Sequence, residues 1–290
     1  MLRVNTVRYL AGLWPDAGAV EVLDVGANPI EGDAPYKGLM EAGLARVTGF
    51  EPQPGPLAEL NARKSAAETY HPDALGAGGA ACLHLFQHSG FTSLFPIRAD
   101  TAQLVGFGRS TRAAGTLDIQ TSRLDDLGHI GRVDFLKIDV QGAELDIIAN
   151  GVTKLAEAVL IQTEVRFLPL YQDEPGFAAL DAQLRSMGFQ FHDFATLKRV
   201  ALRSASHGRL RPRFNRQIVD GDALYIRDLT HVGALSDIQI FRLALLAESV
   251  IDSPNLVAFC LDTLVSRGRL KPDAVGGYLE ILPAEMLRPN

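Results

Sequence analysis

Small and acidic residues follow predicted buried strands at positions where a parallel sheet would gather them at one edge. Gly26 follows the apolar run Val20–Val25, Glu51 ends the run Val47–Glu51, and Asp139 ends a third. In a doubly wound sheet, the carboxyl ends of neighbouring strands share one crevice. Gly26 lets the backbone turn tightly and approach a ligand, and the Glu51 carboxylate can accept hydrogen bonds from ribose hydroxyls. The spacing therefore predicts a nucleoside site.

The residues around Gly26 disfavour a nucleoside that carries phosphates. The dinucleotide fingerprint G-x-G-x-x-G is absent, because no second glycine follows at the required spacing. Glu31 and Asp33 add negative charge where a pyrophosphate needs the opposite, and Asp24 precedes the turn. These acids suit a cationic or zwitterionic ligand. S-adenosylmethionine (SAM) has a sulfonium, an ammonium, a carboxylate and a ribose but no phosphate, and it is the predicted cofactor.

The composition predicts a soluble globular protein. Of the 290 residues, 47% are hydrophobic and 21% are charged, which supplies ample material for a core. The net charge of −6 disfavours general binding of polyanions, so nucleic acid is not expected as a partner. Cys82 and Cys260 are too few for a disulfide framework, and no run of the sequence approaches the roughly 18 apolar residues of a membrane span. A cytoplasmic location is expected.

Strand and helix patterns alternate from about residue 20 to 190, which predicts a parallel α/β sheet. An N-terminal helix is expected over 1–19, an α/β domain over 20–230 and a helical extension over 231–290, in which Ser253-Pro254 predicts a capped helix start. The predicted strands are Val20–Val25, Val47–Glu51, Ala81–Phe86, Thr116–Ser122, Val133–Asp139, Val159–Val165 and a final hairpin of Phe189–Phe194 and Ala223–Arg227. The predicted helices of the α/β domain are Pro35–Gly43, Pro54–Lys64, Glu144–Asn150 and Pro175–Met187.

The strongest motif is Phe135-Leu-Lys-Ile-Asp-Val-Gln-Gly-Ala-Glu144, in which an apolar strand ends at Asp139 and Gly142 opens a helix. A carboxylate directly after a buried strand is costly unless it is paired or used. With the other motifs, this segment resembles the FkbM family of SAM-dependent methyltransferases over about residues 20 to 228. Those motifs are Asp24-Val-Gly-Ala-Asn28, Phe50-Glu-Pro52, Leu124-Asp-Asp-Leu127, Glu164-Val-Arg-Phe-Leu-Pro-Leu-Tyr171 and Gly188-Phe-Gln-Phe191.

The resemblance implies a fold and an activity. The fold is a class I methyltransferase (Rossmann-like) α/β fold, with a seven-stranded sheet whose last strand is antiparallel. The C-terminal helical appendage lies outside the family pattern. The implied enzyme is an O-methyltransferase acting on a hydroxyl of a sugar, glycan or related secondary metabolite.

The resemblance also implies which residues bind the cofactor. Asp24, Gly26, Ala27 and Asn28 would hold the methionine end of SAM. Glu51 and Pro52 would hold the ribose, and Asp73 and Ala74 the adenine. Ser93 belongs to a loop, Ser89–Ser93, that closes on the cofactor and that we name the Ser/Gly loop. Asp139, in the same crevice, is a further candidate for binding the cofactor. One departure is that Pro29–Pro35 delay the helix that follows the glycine turn at once in most family members.

The sulfonium methyl is already activated, so its transfer depends mainly on alignment of the acceptor. A hydroxyl acceptor must also lose its proton, which requires a nearby base or metal. The candidates for a catalytic base are Asp139, Glu164 and His192. Asp139 and Glu164 could together hold Mg²⁺, which prefers hard oxygen ligands. Glu164 could instead form a salt bridge to Arg166 or Arg199, and His192 fits a half-buried strand residue better than a base.

The segment from Lys198 to Arg216 contains seven basic residues and no acid. It is either a solvated loop that joins the last two strands or a lid that binds an anionic small-molecule or glycan acceptor. Two other functions stay open: a nicotinamide-dependent oxidoreductase on a related sheet, and a non-catalytic scaffold whose helical extension binds a partner. The extension is expected to pack on the main domain, with a homodimer through it as the alternative.

Overall fold

Seven strands form one mostly parallel sheet at the centre of the protein. The computed structural model describes residues 2–28 and 32–288. Across the sheet the strands are β3 (Glu68–His71), β2 (Ala45–Phe50), β1 (Val20–Val25), β7 (Phe135–Ile138), β8 (Leu160–Arg166), β10 (Gln217–Arg227) and β9 (Phe189–Val200). β10, the last strand along the chain, pairs antiparallel with both of its neighbours. The predicted fold class is confirmed.

A smaller sheet lies beside the main one. It consists of β4 (Ala74–Leu75), β6 (Ala113–Ser122) and β5 (Gly79–Phe86), in that spatial order. β5 and β6 form an antiparallel pair, and β4 pairs parallel with β6. The two extra strands predicted between residues 80 and 122 are therefore present, and β4 joins them directly after β3. This arrangement carries Asp73 and Ala74 from the edge of the main sheet towards the smaller one.

The helices of the α/β region begin and end close to the predicted residues. Pro54 opens a helix as expected, because its fixed φ suits the first turn, where the missing N–H costs nothing. The helix that Pro29–Pro35 delay begins at Lys37, and residues 29–31 lie outside the described part of the chain. The helices are α1 (Leu2–Leu13), α2 (Lys37–Glu41), α3 (Pro54–Arg63), α4 (Ala99–Leu104), α5 (Glu144–Ala149) and α6 (Phe177–Ser186).

The main sheet is buried on both faces, because each strand directs apolar side chains to opposite sides. In β1, Val20 and Val22 join the core formed with α1 and the C-terminal helices. Leu23 and Val25 join a second core with residues of α5 and α6. Strands buried on both faces are typical of parallel sheets.

The C-terminal extension packs on the first of these faces. It contains α7 (Asp237–Leu246), a π-helical turn (Ala247–Ile251), α8 (Pro254–Ser266) and α9 (Ala274–Glu280). Buried Glu248 accepts hydrogen bonds from Thr6 of α1 and Tyr278 of α9. Ser253 occupies the N-cap position of α8 and Pro254 opens the helix, as predicted, although the Ser253 side chain makes no cap hydrogen bond. Ser236 caps α7 through a reciprocal pair with Gln239. Within the described residues, no helix has the length and apolar character to cross a membrane.

Candidate active site

A deep cleft lies at the carboxyl ends of β1, β2 and β7, where they face the smaller sheet. Its space, part of which is open to solvent, measures about 860 Å³, and we name it the central cleft. Most of the residues predicted to hold the cofactor line it, although they come from distant parts of the chain. They are Gly26, Asn28, Glu51, Pro52, Asp73, Ala74 and Asp139.

Gly26 forms the floor of this cleft and has no room for a side chain. Its φ is +78°, and a Cβ placed there would lie 1.9 Å from the backbone oxygen of Asp139. The N–H groups of Gly26 and Ala27 both donate to the carbonyl of Phe50, at 3.0 and 3.1 Å. The turn therefore joins the ends of three neighbouring strands, β1, β2 and β7.

Glu51 is held at the end of β2 with its carboxylate at the cleft wall. The residue is 2% exposed, and its Oε1 accepts a hydrogen bond from the backbone N–H of Gln53 at 2.8 Å. Burial raises the pKa of this carboxyl, against the lowering effect of the Gln53 hydrogen bond. A fixed acid that borders empty space is suited to accept hydrogen bonds from a ligand.

Asp24 does not line the cleft but lies behind it. Its Oδ2 accepts a hydrogen bond from Tyr36 at 2.6 Å, and its Oδ1 is 3.3 Å from the ammonium of Lys137. Lys137 lines the cleft and donates to the carbonyl of Gly26 at 3.3 Å. Asp24 thus acts on the cleft through Lys137, which the sequence analysis missed.

Two other predicted cofactor residues also point away from the cleft. Ala27 is buried against Gly49. Ser93, which is 1% exposed, donates to the carbonyl of Gln141 at 2.6 Å and accepts from the N–H of Phe95. Ser93 therefore fixes the Ser/Gly loop in place, while Ser89, Gly90 and Thr92 of the same loop line the cleft.

A second cavity lies where residues of β8, β9 and β10 meet the loop around Gly90, and its space, part of which is open to solvent, measures about 1000 Å³. We name it the charged cavity, because charged side chains dominate its wall. Asp139, Gln141 and Gly90 line both this cavity and the central cleft, so Asp139 stands at their boundary. The other charged residues of the wall are Glu164, Arg166, Lys198, Asp220 and Asp222.

Arg166 organises the charged cavity from a nearly buried position. Its guanidinium lies 2.6 Å from Glu164, 3.0 Å from Asp220 and 3.4 Å from Glu174. The predicted salt bridge between Glu164 and Arg166 is therefore present, and Glu164 also lines the cavity. Lys198 adds a second cation, 3.7 Å from Asp220, so two cations stand among these three carboxylates.

Gln141 connects Arg166 to Asp139. Its Nε2 donates to Asp139 Oδ1 at 2.7 Å, and its Oε1 accepts from Arg166 and from the hydroxyl of Tyr171, both at 3.1 Å. The backbone of Gln141 has a φ of +59°, which is unusual for a residue with a side chain. Such strained residues cluster at functional sites.

The family of the chain follows from its sequence. The family model of the methyltransferase FkbM domain matches residues 24–191, more than half of the chain. The chain belongs to the FkbM methyltransferase family. It is therefore a SAM-dependent methyltransferase, which favours the first of the three functions considered from the sequence. No curated relative matches the chain.

Solved structures with similar folds are distant from this methyltransferase. Magnesium protoporphyrin IX methyltransferase from Synechocystis PCC 6803 is 13% identical, with 77% of this chain and 76% of that chain covered and a TM-score of 0.35. Precorrin-6y C5,15-methyltransferase from Geobacter metallireducens GS-15 is 14% identical, with 78% and 88% covered and a TM-score of 0.34. The strand order of the main sheet itself defines the fold.

The carboxyl groups of the methyltransferase near Asp139 resist ionisation. Burial and the neighbouring Asp139 raise the pKa of Glu144 to about 6, against hydrogen bonds from backbone N–H groups. Burial also raises the pKa of Glu164 well above its ordinary value, although Arg166 opposes this. Oxygens of Asp139, Glu144 and Glu164 all lie within 4.8 Å of one another. The group is suited to hold a hard cation or to share a proton.

His192 is not brought to either space of the methyltransferase. It lines neither the central cleft nor the charged cavity. In the pairing of β9 with β10, Asp193 opposes Leu224 and Phe191 opposes Tyr225, so His192 is the extra residue of a β-bulge. The bulge breaks the alternation that would have placed His192 on a predictable face.

The structure adds Lys137, Gln141 and Arg166 to the residues predicted for the site. Lys137 precedes Asp139 by two residues, and Arg166 follows Glu164 by two, so strand alternation could have placed each pair on one side of the sheet. Gln141 had no comparable signal, because its positive φ depends on the fold. The sequence placed the carboxylates and offered the bridge from Glu164 to Arg166, but it did not reveal Lys137 or Gln141.

Proposed function

We propose that the protein transfers the methyl group of SAM to a hydroxyl of a sugar, glycan or related secondary metabolite that binds in the charged cavity. One observation carries the proposal: Asp139 and Gln141 line both the central cleft and the charged cavity. A methyl donor in the central cleft would therefore face an acceptor in the charged cavity across a carboxylate.

In this proposal SAM lies along the central cleft. Asp73 and Ala74 contact the adenine and Glu51 and Pro52 the ribose, while Gly26, Asn28 and Lys137 surround the methionine end. Asn28 supports this placement, because its Oδ1 is buried without a hydrogen-bond partner among the described residues. A buried acceptor atom in that state costs free energy unless a ligand donates to it. The SAM ammonium is such a donor, and Lys137 would attract the SAM carboxylate.

The reaction needs one proton acceptor. The acceptor oxygen bonds to the methyl carbon as the carbon–sulfur bond breaks, which yields a methyl ether and S-adenosylhomocysteine. The hydroxyl proton passes to Asp139, with Glu164 as the neighbouring carboxyl. Gln141 holds Oδ1 of Asp139 at 2.7 Å, so Oδ2 is the atom assigned to receive the proton. His192 stays a prediction that this proposal does not use.

A Mg²⁺ ion held by Asp139 and Glu164 is the second form of the proposal. It would lower the pKa of the bound hydroxyl. The ion would compete with Arg166, whose Nη2 is 2.6 Å from Glu164 Oε2. Transfer assays in EDTA, followed by addition of Mg²⁺, separate the two forms. Activity that survives EDTA supports the carboxylate base, and loss that Mg²⁺ reverses supports the ion.

A polyhydroxylated acceptor suits the charged cavity. Carboxylates accept hydrogen bonds from hydroxyl groups, and Asp139, Glu164, Asp220 and Asp222 all face this space. Their excess over Arg166 and Lys198 disfavours an anion inside it. We therefore place any anionic group of the acceptor outside the cavity, on the exposed arginines that follow Lys198, namely Arg199, Arg203, Arg209, Arg211, Arg213 and Arg216.

The test begins with calorimetric titration of S-adenosylhomocysteine, with NAD⁺ as the control ligand. Transfer of a labelled methyl group from SAM is then screened over hydroxylated acceptors. We expect Asp139→Asn to lower turnover at least about 100-fold, because a positioned base contributes on that scale, with little change in S-adenosylhomocysteine affinity. Asp262→Asn, at an exposed position of α8, serves as the control. Methylation of nitrogen or carbon alone, or full turnover in Asp139→Asn, would contradict the proposal.

Two further aspects stay predictions. A cytoplasmic location is tested by cell fractionation. A homodimer through residues 231–290 is tested by light scattering of the purified protein.

A further inference from the structure

Two histidines and an aspartate converge beside the end of the central cleft that the proposed function assigns to the adenine. His71 is the last residue of β3, Asp73 follows it by two residues, and His129 lies in the connection that precedes β7. One ligand atom from each residue lies within 4.8 Å of the other two. The main sheet fixes His71, because it pairs with Phe50 of β2 and its carbonyl accepts from the Glu51 N–H at 3.0 Å. The sheet therefore fixes the backbone of His71, and Asp73 follows this fixed position by two residues.

The imidazole rings are arranged as free ligands. Their centroids are 4.6 Å apart and their planes are tilted by 43°, while Phe50 covers His71 at a centroid distance of 5.5 Å. Within the described residues, no hydrogen bond to a ring nitrogen of either histidine is found. Stacking on Phe50 accounts for the packing of the two imidazole rings, but it does not account for the Asp73 carboxylate beside them.

The three groups match the ligand preferences of a borderline divalent ion. Zn²⁺ takes imidazole nitrogens and carboxylate oxygens at ~2.0–2.2 Å, which places tetrahedral ligand atoms ~3.3–3.6 Å apart. A movement of about 1 Å would close the cluster around an ion of that geometry, and the exposed His129 can supply it. The charge of Asp73 attracts a cation, and the nearby Lys64 acts against one.

We propose that His71, Asp73 and His129 bind Zn²⁺ or a similar divalent transition metal ion, with water in the fourth position. Asp73 also lines the central cleft. An ion that fixes Asp73 therefore changes the affinity of the cleft for a nucleoside, and the nucleoside changes the affinity for the ion by the same factor.

The experiment titrates the full-length, metal-free protein with ZnCl₂ by calorimetry and with CoCl₂ by visible absorption. We expect one ion per chain and a rise in Tm with Zn²⁺, because an ion that binds only the folded state stabilises it. His129→Ala, at an exposed position, should weaken binding at least about tenfold, as loss of one of three protein ligands does. His71→Ala and Asp73→Asn should do the same. His231→Ala, a distant and exposed histidine, should bind like the parent protein.

Two results would overturn the proposal. One is equal Zn²⁺ affinity in the parent protein and His129→Ala, with the Tm rise retained. The other is binding that disappears in Asp139→Asn but persists in His71→Ala, which would assign the ion to the carboxylates at Asp139.

Discussion

The central cleft and the charged cavity meet at Asp139, yet they are built in different ways. The central cleft consists of turns and single residues that follow parallel strands, and its tightest contact is Gly26 against the backbone of Asp139. The charged cavity consists of side chains from β8, β9 and β10 that Arg166 holds together. The first depends on backbone geometry and the second on balanced charge.

This difference suits a division of labour between the two spaces. A cofactor that never varies can be held by backbone turns, which tolerate little change. An acceptor is selected by side chains, which can be exchanged without altering the strands beneath them. Breaking one region while preserving the other tests whether the two are independent.

The largest effect should follow from Gly26→Ala. The new Cβ would meet the Asp139 carbonyl at 1.9 Å, in a backbone conformation that side chains rarely adopt. We expect a loss of at least about 5 kcal/mol in the free energy of unfolding, the range of exceptional mutations, and no binding of S-adenosylhomocysteine. Gly55→Ala, where a Cβ meets nothing within 4 Å in α3, is the control and should not destabilise. Near-normal binding and stability in Gly26→Ala would show that the turn is not rigid.

Arg166→Met should damage the charged cavity and spare the central cleft. It removes the only guanidinium that contacts Glu164, Glu174 and Asp220 within the described structure. Removal of one partner from a buried ion pair costs about 3–5 kcal/mol, so urea denaturation should show a loss of that size. Arg185→Met, a surface partner of Asp181, should cost less than about 1 kcal/mol. A matching loss of S-adenosylhomocysteine affinity would show that the two spaces are not independent.

The smallest effect concerns pH and the boundary between the two spaces. The pKa of Glu144 is raised to about 6 in the folded protein. The folded state therefore binds the Glu144 proton more tightly than the unfolded state does, and protonation of Glu144 stabilises the fold. This contribution to stability is present below about pH 4.5 and is lost as pH rises through 6. The loss is about 2 kcal/mol. Glu144→Gln should remove this decline, as measured by the free energy of unfolding from pH 4.5 to 7. An unchanged slope would mean that Glu144 is not held protonated.

Much of the central cleft could be predicted from short stretches of sequence. A strand, a glycine and an acid each lie within a few residues, so Gly26, Glu51 and Asp139 were assigned to one edge correctly. Asp24, Ala27 and Ser93 belong to the same motifs but do not line the cleft, because motif spacing does not state which side of a turn a side chain takes. Their roles in binding the cofactor stay predictions.

The charged cavity could be predicted only in part. Glu164 was expected at a strand end, and its bridge to Arg166 was one of two alternatives. Asp220 and Asp222 joined them only through the antiparallel pairing of β10 with β8. His192 lies in a β-bulge between β9 and β10, so strand alternation does not place it at the cavity.

The sequence by itself determined the alternating strands and helices, the antiparallel last strand, the family and the carboxylates at the sheet edge. Hydrophobic periodicity and local turn chemistry carry the information about strands, helices and sheet-edge carboxylates over a few residues at a time, whereas the family follows from the resemblance of the motifs. Only the tertiary structure decided that Gln141 takes a positive φ and connects Asp139 to Arg166. It also decided that Lys137 pairs with Asp24 and that the helical extension completes the core with α1. Those contacts join residues far apart along the chain, and their free energy exists only after the strands have paired.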